Sequence, residues 1–433
     1  MNAYSFAHLK WPYHRKAKPF KVRTVEPRKY GPSTHGEVFM AVMRDLIKPA
    51  EAPLDLFSNF GPQNPPDFDL VTFPEAFVAV DVLIQTMEIM SRLDPSGCFH
   101  VGIRPSDTSN HLFSKQEAKE LADGLSALSN FAGSDLKVFR AWLDEVADCE
   151  MINLACLFLI DADRELRVCL HPKLVRSRFE LAVFPEDHMA EATLLTLVTL
   201  KPTDKKLTEI NLQPLICSDA TNLLPDRSAG GPIAILNQHP DLFEGEVPDH
   251  IDVVSVVTCT PQQTDVTKDS MAYRQWHERF SVVFTGAQER VRHHFAAFVL
   301  ANFLELEDGT AGGASGIYLP VSPPEEFESG LEVSCFGKPR SAPLKGNCWS
   351  QPDDVALTRW NNRGFTVGLA AWDDRGDAVR VFQGTIARLP RENPLWETRQ
   401  SIADCKVRVG TRAANGQIMF EWLAESGRRE PAQ

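Results

Sequence analysis

Apolar residues recur along this chain in two rhythms. EVFMAVMRDLI (37–47) has the spacing of one helix face, and AFVAVDVLIQTMEIMSRLD (76–94) is apolar almost all round, as in a helix buried on more than one side. KQEAKELADGLSALSNF (115–131) and DLKVFRAWLDEVA (135–147) repeat the helical pattern. Interleaved with them, KPFKVRTVEP (18–27) reads as a first strand and GCFHVGI (97–103) as another. Strand alternating with helix predicts a layered α/β fold. From residue 152 the rhythm changes to near-continuous Val/Ile/Leu runs: INLACLFLID, ELRVCLHPK, LLTLVTL, INLQPLIC and IDVVSVVT. Such runs suit strands in sheets covered on both faces.

Three of these strands end on a reactive side chain. LVTFPEAF delivers Glu75, VCLHPKLVRSRFE delivers Lys173, and LICSDA delivers Cys217. In α/β sheets the carboxyl edge of the strands is where ligands bind. A thiol there, where backbone amides come free, suits a nucleophile. Taken singly, each residue has a plainer role: Cys217 as a small buried hydrophobe, Glu75 as a helix-terminus charge, Lys173 as a partner for a surface acid. Their order, each at the end of an apolar strand, singles them out.

The segments FPEAF, HPKLV and LICSDA, in that order, resemble the signatures of the carbon–nitrogen hydrolase (nitrilase) superfamily. The 44 residues from Lys173 to Cys217 fit that family, while the 98 from Glu75 to Lys173 imply an insertion. HIDVVSVVTCTPQ (250–262), HHFAAFVLANFLE (293–305) and GGASGIYLP (312–320) resemble the family's later strands and glycine-serine hairpin. The resemblance implies a four-layer α-β-β-α sandwich. It also implies a second glutamate between lysine and cysteine: Glu180, which leaves the Lys173 strand directly, with Glu191 as its rival and Glu186 as a third candidate. Asp219 would hold the turn after the nucleophile. Ser218 departs from the pattern, since an aromatic residue often follows the cysteine, and Cys-Ser-Asp sits closer to the amidase branches than to true nitrilases.

The chemistry implied is a thiol amidohydrolase cleaving a non-peptide C–N bond of a small amide through a thioester. Glu75 would act as acid and base, with Lys173 and the amide N–H after Cys217 stabilising the oxyanion. A free thiol, with a pKa of roughly 8.5, needs such a base near neutrality. No cofactor or metal is called for. Two other readings stay open: glutaminase-like or acyl-transfer activity, and a regulatory or scaffold protein that reuses the fold for oligomerisation and ligand binding. Relatives of this kind are usually dimers or larger, so a homo-oligomer is expected.

Composition narrows the setting. The chain has 433 residues, 43% hydrophobic and 24% charged, with a formal net charge of −13, which argues against a general nucleic-acid binder. One stretch is locally basic: Lys10 to Lys29 holds eight basic residues, with Trp11 and Tyr13 interleaved and Glu26 the single acid. Residues 1–19 therefore read as a basic N-terminal arm, solvated or docking on an acidic partner or nucleic acid. The hydrolase domain is assigned to 20–395. A C-terminal extension, 396–433, carries the hairpin CKVRVG/QIMFEWL around Asn415-Gly416. No apolar run approaches the roughly 20 residues of a membrane span, and no signal-peptide core is present. Nine cysteines without a CxxC pair suggest reduced thiols and a cytoplasmic protein. Loops at 221–250 and 260–276 are the expected walls of the substrate pocket. GGASGIY lacks a nucleophile-elbow register, and His293 and His294, being adjacent, do not form a metal face.

Overall fold

A computed structural model describes residues 4–14, 19–29, 31–47, 68–91, 96–106, 111–177, 189–220, 235–236, 247–259, 296–305, 315–318, 358–360, 364–366, 377–388 and 400–423. The strands described are β1 (Ser5–Tyr13), β2 (Phe20–Pro27), β3 (Leu70–Thr72), β4 (Val78–Ala79), β5 (Cys98–Arg104), β6 (Leu112–Ser114), β7 (Met151–Ile160), β8 (Leu166–Pro172) and β9 (Leu194–Pro202). They continue with β10 (Ile210–Ile216), β11 (Val253–Val257), β12 (Ala297–Ala301), β13 (Gly316–Tyr318), β14 (Thr358–Trp360), β15 (Gly364–Thr366), β16 (Asp377–Arg388), β17 (Gln400–Arg412) and β18 (Ile418–Leu423). Helices are α1 (Pro32–Ile47), α2 (Val80–Met90), α3 (Lys115–Ser126) and α4 (Lys137–Glu145).

These strands make two mixed sheets. One has eight strands in the order β1-β9-β10-β11-β12-β13-β15-β14. The other has ten, in the order β18-β17-β16-β2-β3-β5-β7-β6, with β4 on β5 and β8 on β7. The sheets face each other. A shared apolar layer takes Val22, Leu70, Cys98, Leu157 and Cys169 from the ten-stranded sheet and Trp11, Val198, Leu212, Val253 and Val299 from the other. Alternate residues of the same strands, such as Val71, Phe99, Cys156 and Val168, join the larger core that takes in α1–α4. Both faces of these strands are thus apolar, which is why the sequence shows continuous runs rather than alternation. α3 begins with a capping box: Ser114 accepts from the Glu117 N–H at 3.2 Å, and Glu117 accepts from the Ser114 N–H at 2.8 Å.

Several expectations need correction. The expected N-terminal arm is, from Ser5 to Tyr13, a sheet strand running parallel to β9 in unbroken register from Ser5↔Leu194 to Tyr13↔Pro202. Its inward residues Ala7, Trp11 and Tyr13 are buried. The basic side chains between them hid a period-two pattern. The apolar segment 76–94 is not helical from its start. Ala76 is held at φ 51 and Val78–Ala79 pair with Ile103–Arg104, so α2 begins only at Val80. The C-terminal hairpin forms around Asn415-Gly416, with Arg412 opposite Ile418 and Gly416 at φ 84. It extends the ten-stranded sheet through β16 and is anchored to α1 by Arg408–Asp45 at 2.5 Å and Arg412–Glu37 at 2.9 Å. Of the two expected pocket loops, 221–234, 237–246 and 260–276 lie outside the described residues, as do His293 and His294.

Candidate active site

After β3 the chain turns across β5 before entering β4. The Phe73 N–H donates to the His100 carbonyl at 2.8 Å, the Gly102 N–H to the Pro74 carbonyl at 3.0 Å, and the Phe77 N–H to the Gly102 carbonyl at 2.8 Å. This backbone contact is so close that a Cβ on Gly102 would stand 2.3 Å from the Glu75 Cα. Glycine in a strand commonly marks such an approach. Buried Arg104, at the end of β5, donates from Nε to the Ala76 carbonyl at 2.8 Å, holding the left-handed turn. Phe73 and Phe77 stack with centroids 5.7 Å apart and seat the loop on α1, where His35 meets Phe77 at 5.1 Å. Burial, and then the Arg104 charge, holds His35 at about 3, so it is neutral.

The loop presents a Glu75 side chain with three donors around it. Oε1 accepts from Lys173 Nζ at 2.9 Å and from Asn153 Nδ2 at 2.7 Å, and Oε2 accepts from the Cys259 N–H at 3.1 Å. Lys173 lies one residue beyond β8 and is 1% exposed, against 4% for Glu75. A buried ion pair seldom stabilises a fold more than apolar residues of the same volume would. Two such groups, both almost fully buried, mark the place as a candidate site.

Cys217 follows β10 directly and opens a 3₁₀ turn, Cys217–Ala220, with φ 43. For a residue with a Cβ that conformation costs about 1–3 kcal/mol and must be held by its surroundings. Asp219 and Ser218 supply the hold. Asp219 Oδ1 accepts from the Leu174 and Val175 N–H groups at 2.9 and 2.8 Å, and Oδ2 accepts from the Ile216 N–H at 3.3 Å. The Ser218 hydroxyl donates to the Val175 carbonyl. Burial pushes the Asp219 carboxyl up to about 8, against the pull of Lys173 and the three amides. The turn after Cys217 is thus tied to the residues following Lys173.

β11 is the parallel neighbour of β10, with Ile216 opposite Val257, so Cys217 and Thr258 leave the same edge, with Cys259 one residue on. Burial raises the Cys259 thiol well above its ordinary value, and the charges of Glu75 and Cys217 add to this while Lys173 and Arg104 oppose it. One layer deeper, between the sheets, runs a buried polar chain. Thr72 and Ser255 hydroxyls meet at 2.7 Å, Ser255 meets His100 Nδ1 at 2.7 Å, and His100 Nε2 meets His171 Nε2 at 2.9 Å. Burial keeps both rings neutral, His100 well below its ordinary value and His171 at about 3. One proton shared between the facing Nε2 atoms satisfies the pair.

Glu75 and Lys173, from the ten-stranded sheet, and the Cys217 turn, from the eight-stranded one, are therefore joined through Asp219. Glu191 sits beside Arg176, its Oε1 3.4 Å from Arg176 Nε and 3.3 Å from the Arg176 N–H. Glu180 and Glu186 lie outside the described residues. Asn153, Gly102 and Arg104 are site residues that sequence reading missed. Two had a signal: Asn153 is a polar residue inside the apolar run INLACLFLI, and Gly102 interrupts GCFHVGI. Among the described residues no group of three or more His, Cys, Asp or Glu could hold a metal ion, and no helix is long and apolar enough to cross a membrane.

No family model and no curated protein matches the sequence. Among solved structures, a cysteine-to-alanine mutant of a Nesterenkonia amidase from the nitrilase superfamily is similar at a TM-score of 0.35 and 10% identity, over 71% of this chain and 85% of that one. A glutamine-dependent NAD+ synthetase from Acinetobacter baumannii, in complex with ADP, is similar at 0.35 and 12%, over 89% of this chain and 48% of that one. The structural neighbours of the chain thus include nitrilase-superfamily amidases and glutamine-dependent NAD+ synthetases, at low TM-score and low identity.

Proposed function

We propose that the protein is a thiol amidohydrolase of the carbon–nitrogen hydrolase type, with the four-layer α-β-β-α arrangement, acting on a small non-peptide amide. The observation that carries this reading is the buried Glu75–Lys173 pair at 2.9 Å, strapped through Asp219 to the turn that bears Cys217. Glu75 takes the thiol proton as Cys217 Sγ attacks the amide carbon. The tetrahedral oxyanion faces Lys173 Nζ and the N–H following Cys217. The C–N bond breaks as Glu75 returns the proton to nitrogen, releasing ammonia or an amine and leaving a thioester. Water then attacks the acyl carbon while Glu75 accepts its proton. The C–S bond breaks, and the proton passes to the thiolate. Thiol, carboxylate and ammonium suffice for every step, so the reaction as written needs no cofactor. We place the protein in the cytoplasm as a homo-oligomer.

Iodoacetamide labelling of the intact protein tests the reading. Alkylation should fall first on Cys217, and Glu75→Gln should slow it about 10²-fold or more, the size of a general-base contribution. Cys259 serves as an internal control, since its raised pKa keeps it a thiol. Labelling spread evenly over the cysteines, or indifferent to Glu75→Gln, would remove the nucleophile and leave the scaffold reading. Robust turnover of simple amides by the isolated chain would dispose of acyl transfer to a partner.

A further inference from the structure

Asn153 touches both members of the Glu75–Lys173 pair, which none of the strand-end residues explains. Its side-chain amide donates to Glu75 Oε1 at 2.7 Å, and its backbone carbonyl accepts the Lys173 N–H at 2.9 Å. It is fully buried, the third residue of an otherwise apolar strand. With Asn153 and Lys173 both on Oε1, that oxygen is committed. Oε2 has the Cys259 N–H, at the end of β11, and β11 lies beside the strand that ends at Cys217.

We propose that Asn153 is the positioning residue of the base: it locks the Glu75 carboxylate so that Oε2 is the oxygen that takes the Cys217 proton, and it stabilises the ionised form. This rests on the thiol-and-base reading above. The physical ground is that a hydrogen bond to a carboxylate favours its charged state, while a second carboxylate in the same place disfavours it. The ionisable groups around the carboxylate are Lys173 from the end of β8, which donates to it, and Cys259 after β11, which feels its charge together with those of Cys217, Lys173 and Arg104; Asp219, from the turn after β10, feels Lys173. None of these is altered by substitution at residue 153.

The test is the pH dependence of Cys217 alkylation by iodoacetamide in the full chain, which needs no known substrate. In Asn153→Leu, which keeps the branched four-atom shape but cannot donate, the acidic limb of the rate profile should move up by about one pH unit, and the plateau should fall about tenfold. In Asn153→Asp, an isostere that brings a like charge, the limb should move further in the same direction. Unfolding by urea, measured alongside, separates a structural effect, which would lower the midpoint without moving the limb. Should Asn153→Leu be unstable, the isosteric variant decides alone. If both variants keep the wild-type limb and plateau while Glu75→Gln slows labelling, the positioning role is overturned and the base survives. If Glu75→Gln itself has no effect, the underlying reading has failed instead.

Discussion

Gly102 decides whether Glu75 can occupy its place at all. A methyl group at that position would meet Glu75 Cα, Ala76 N and the Pro74 carbonyl at 2.3–2.5 Å, and all three are backbone atoms that cannot swing away. Gly102→Ala should therefore destabilise the fold by about 1–3 kcal/mol, the usual cost of overpacking. It should also reduce Cys217 alkylation to the level of Glu75→Gln; wild-type labelling in a folded variant would show that the loop has slack. Ala76 and Cys217, the non-glycine residues with positive φ at the candidate site, lie on the segments that carry Glu75 and the Cys217 turn. Left-handed backbone at both marks where local preference gives way to the demands of the site.

The elements themselves divide by how openly the sequence declares them. β5, β7, β8, β9, β10 and β11 are legible because strands covered on both sides are apolar without interruption. α3 and α4 are legible from their helical spacing. β1 is not, because Lys10 and Pro12 break the look of a strand while Ala7, Trp11 and Tyr13 carry its inward face. β16 and the short β6 are not legible either, since neither has a long apolar run. Of the site, the sequence exposes the three strand-end residues, since each follows an apolar stretch. It does not expose Arg104, whose role depends on a loop folding back over β5. The strand character of β1 has a measurable consequence: Trp11→Ala should cost about 3–5 kcal/mol, as for a large core aromatic. A solvated arm would give a change within about 0.5 kcal/mol in the same urea titration.

For the molecule as a whole, burial of neutral histidines sets a dependence on acid. His35, His100 and His171 all have folded pKa values depressed below 6.5, His35 and His171 to about 3. The unfolded chain binds the extra protons, so their contribution to stability is whole above about 6.5 and is lost as pH falls toward the folded values. Asp135 and Asp219, raised by burial to about 6 and about 8, bind protons in the folded state and act the other way. Comparison with His171→Asn removes one member of the His100–His171 pair. Between pH 6 and pH 4 the wild type should lose about 1.4 kcal/mol per pH unit relative to the variant. Parallel stability curves would mean that His171 is protonated without cost.

The Asp219 carboxyl joins the chain at Ile216 to the chain at Leu174 and Val175, segments more than 40 residues apart. Cation and thiol are thereby governed by one fastening. A fluctuation large enough to release the turn at Cys217 also frees the stretch behind Lys173, and the two halves of the candidate site lose their order in a single event rather than by degrees.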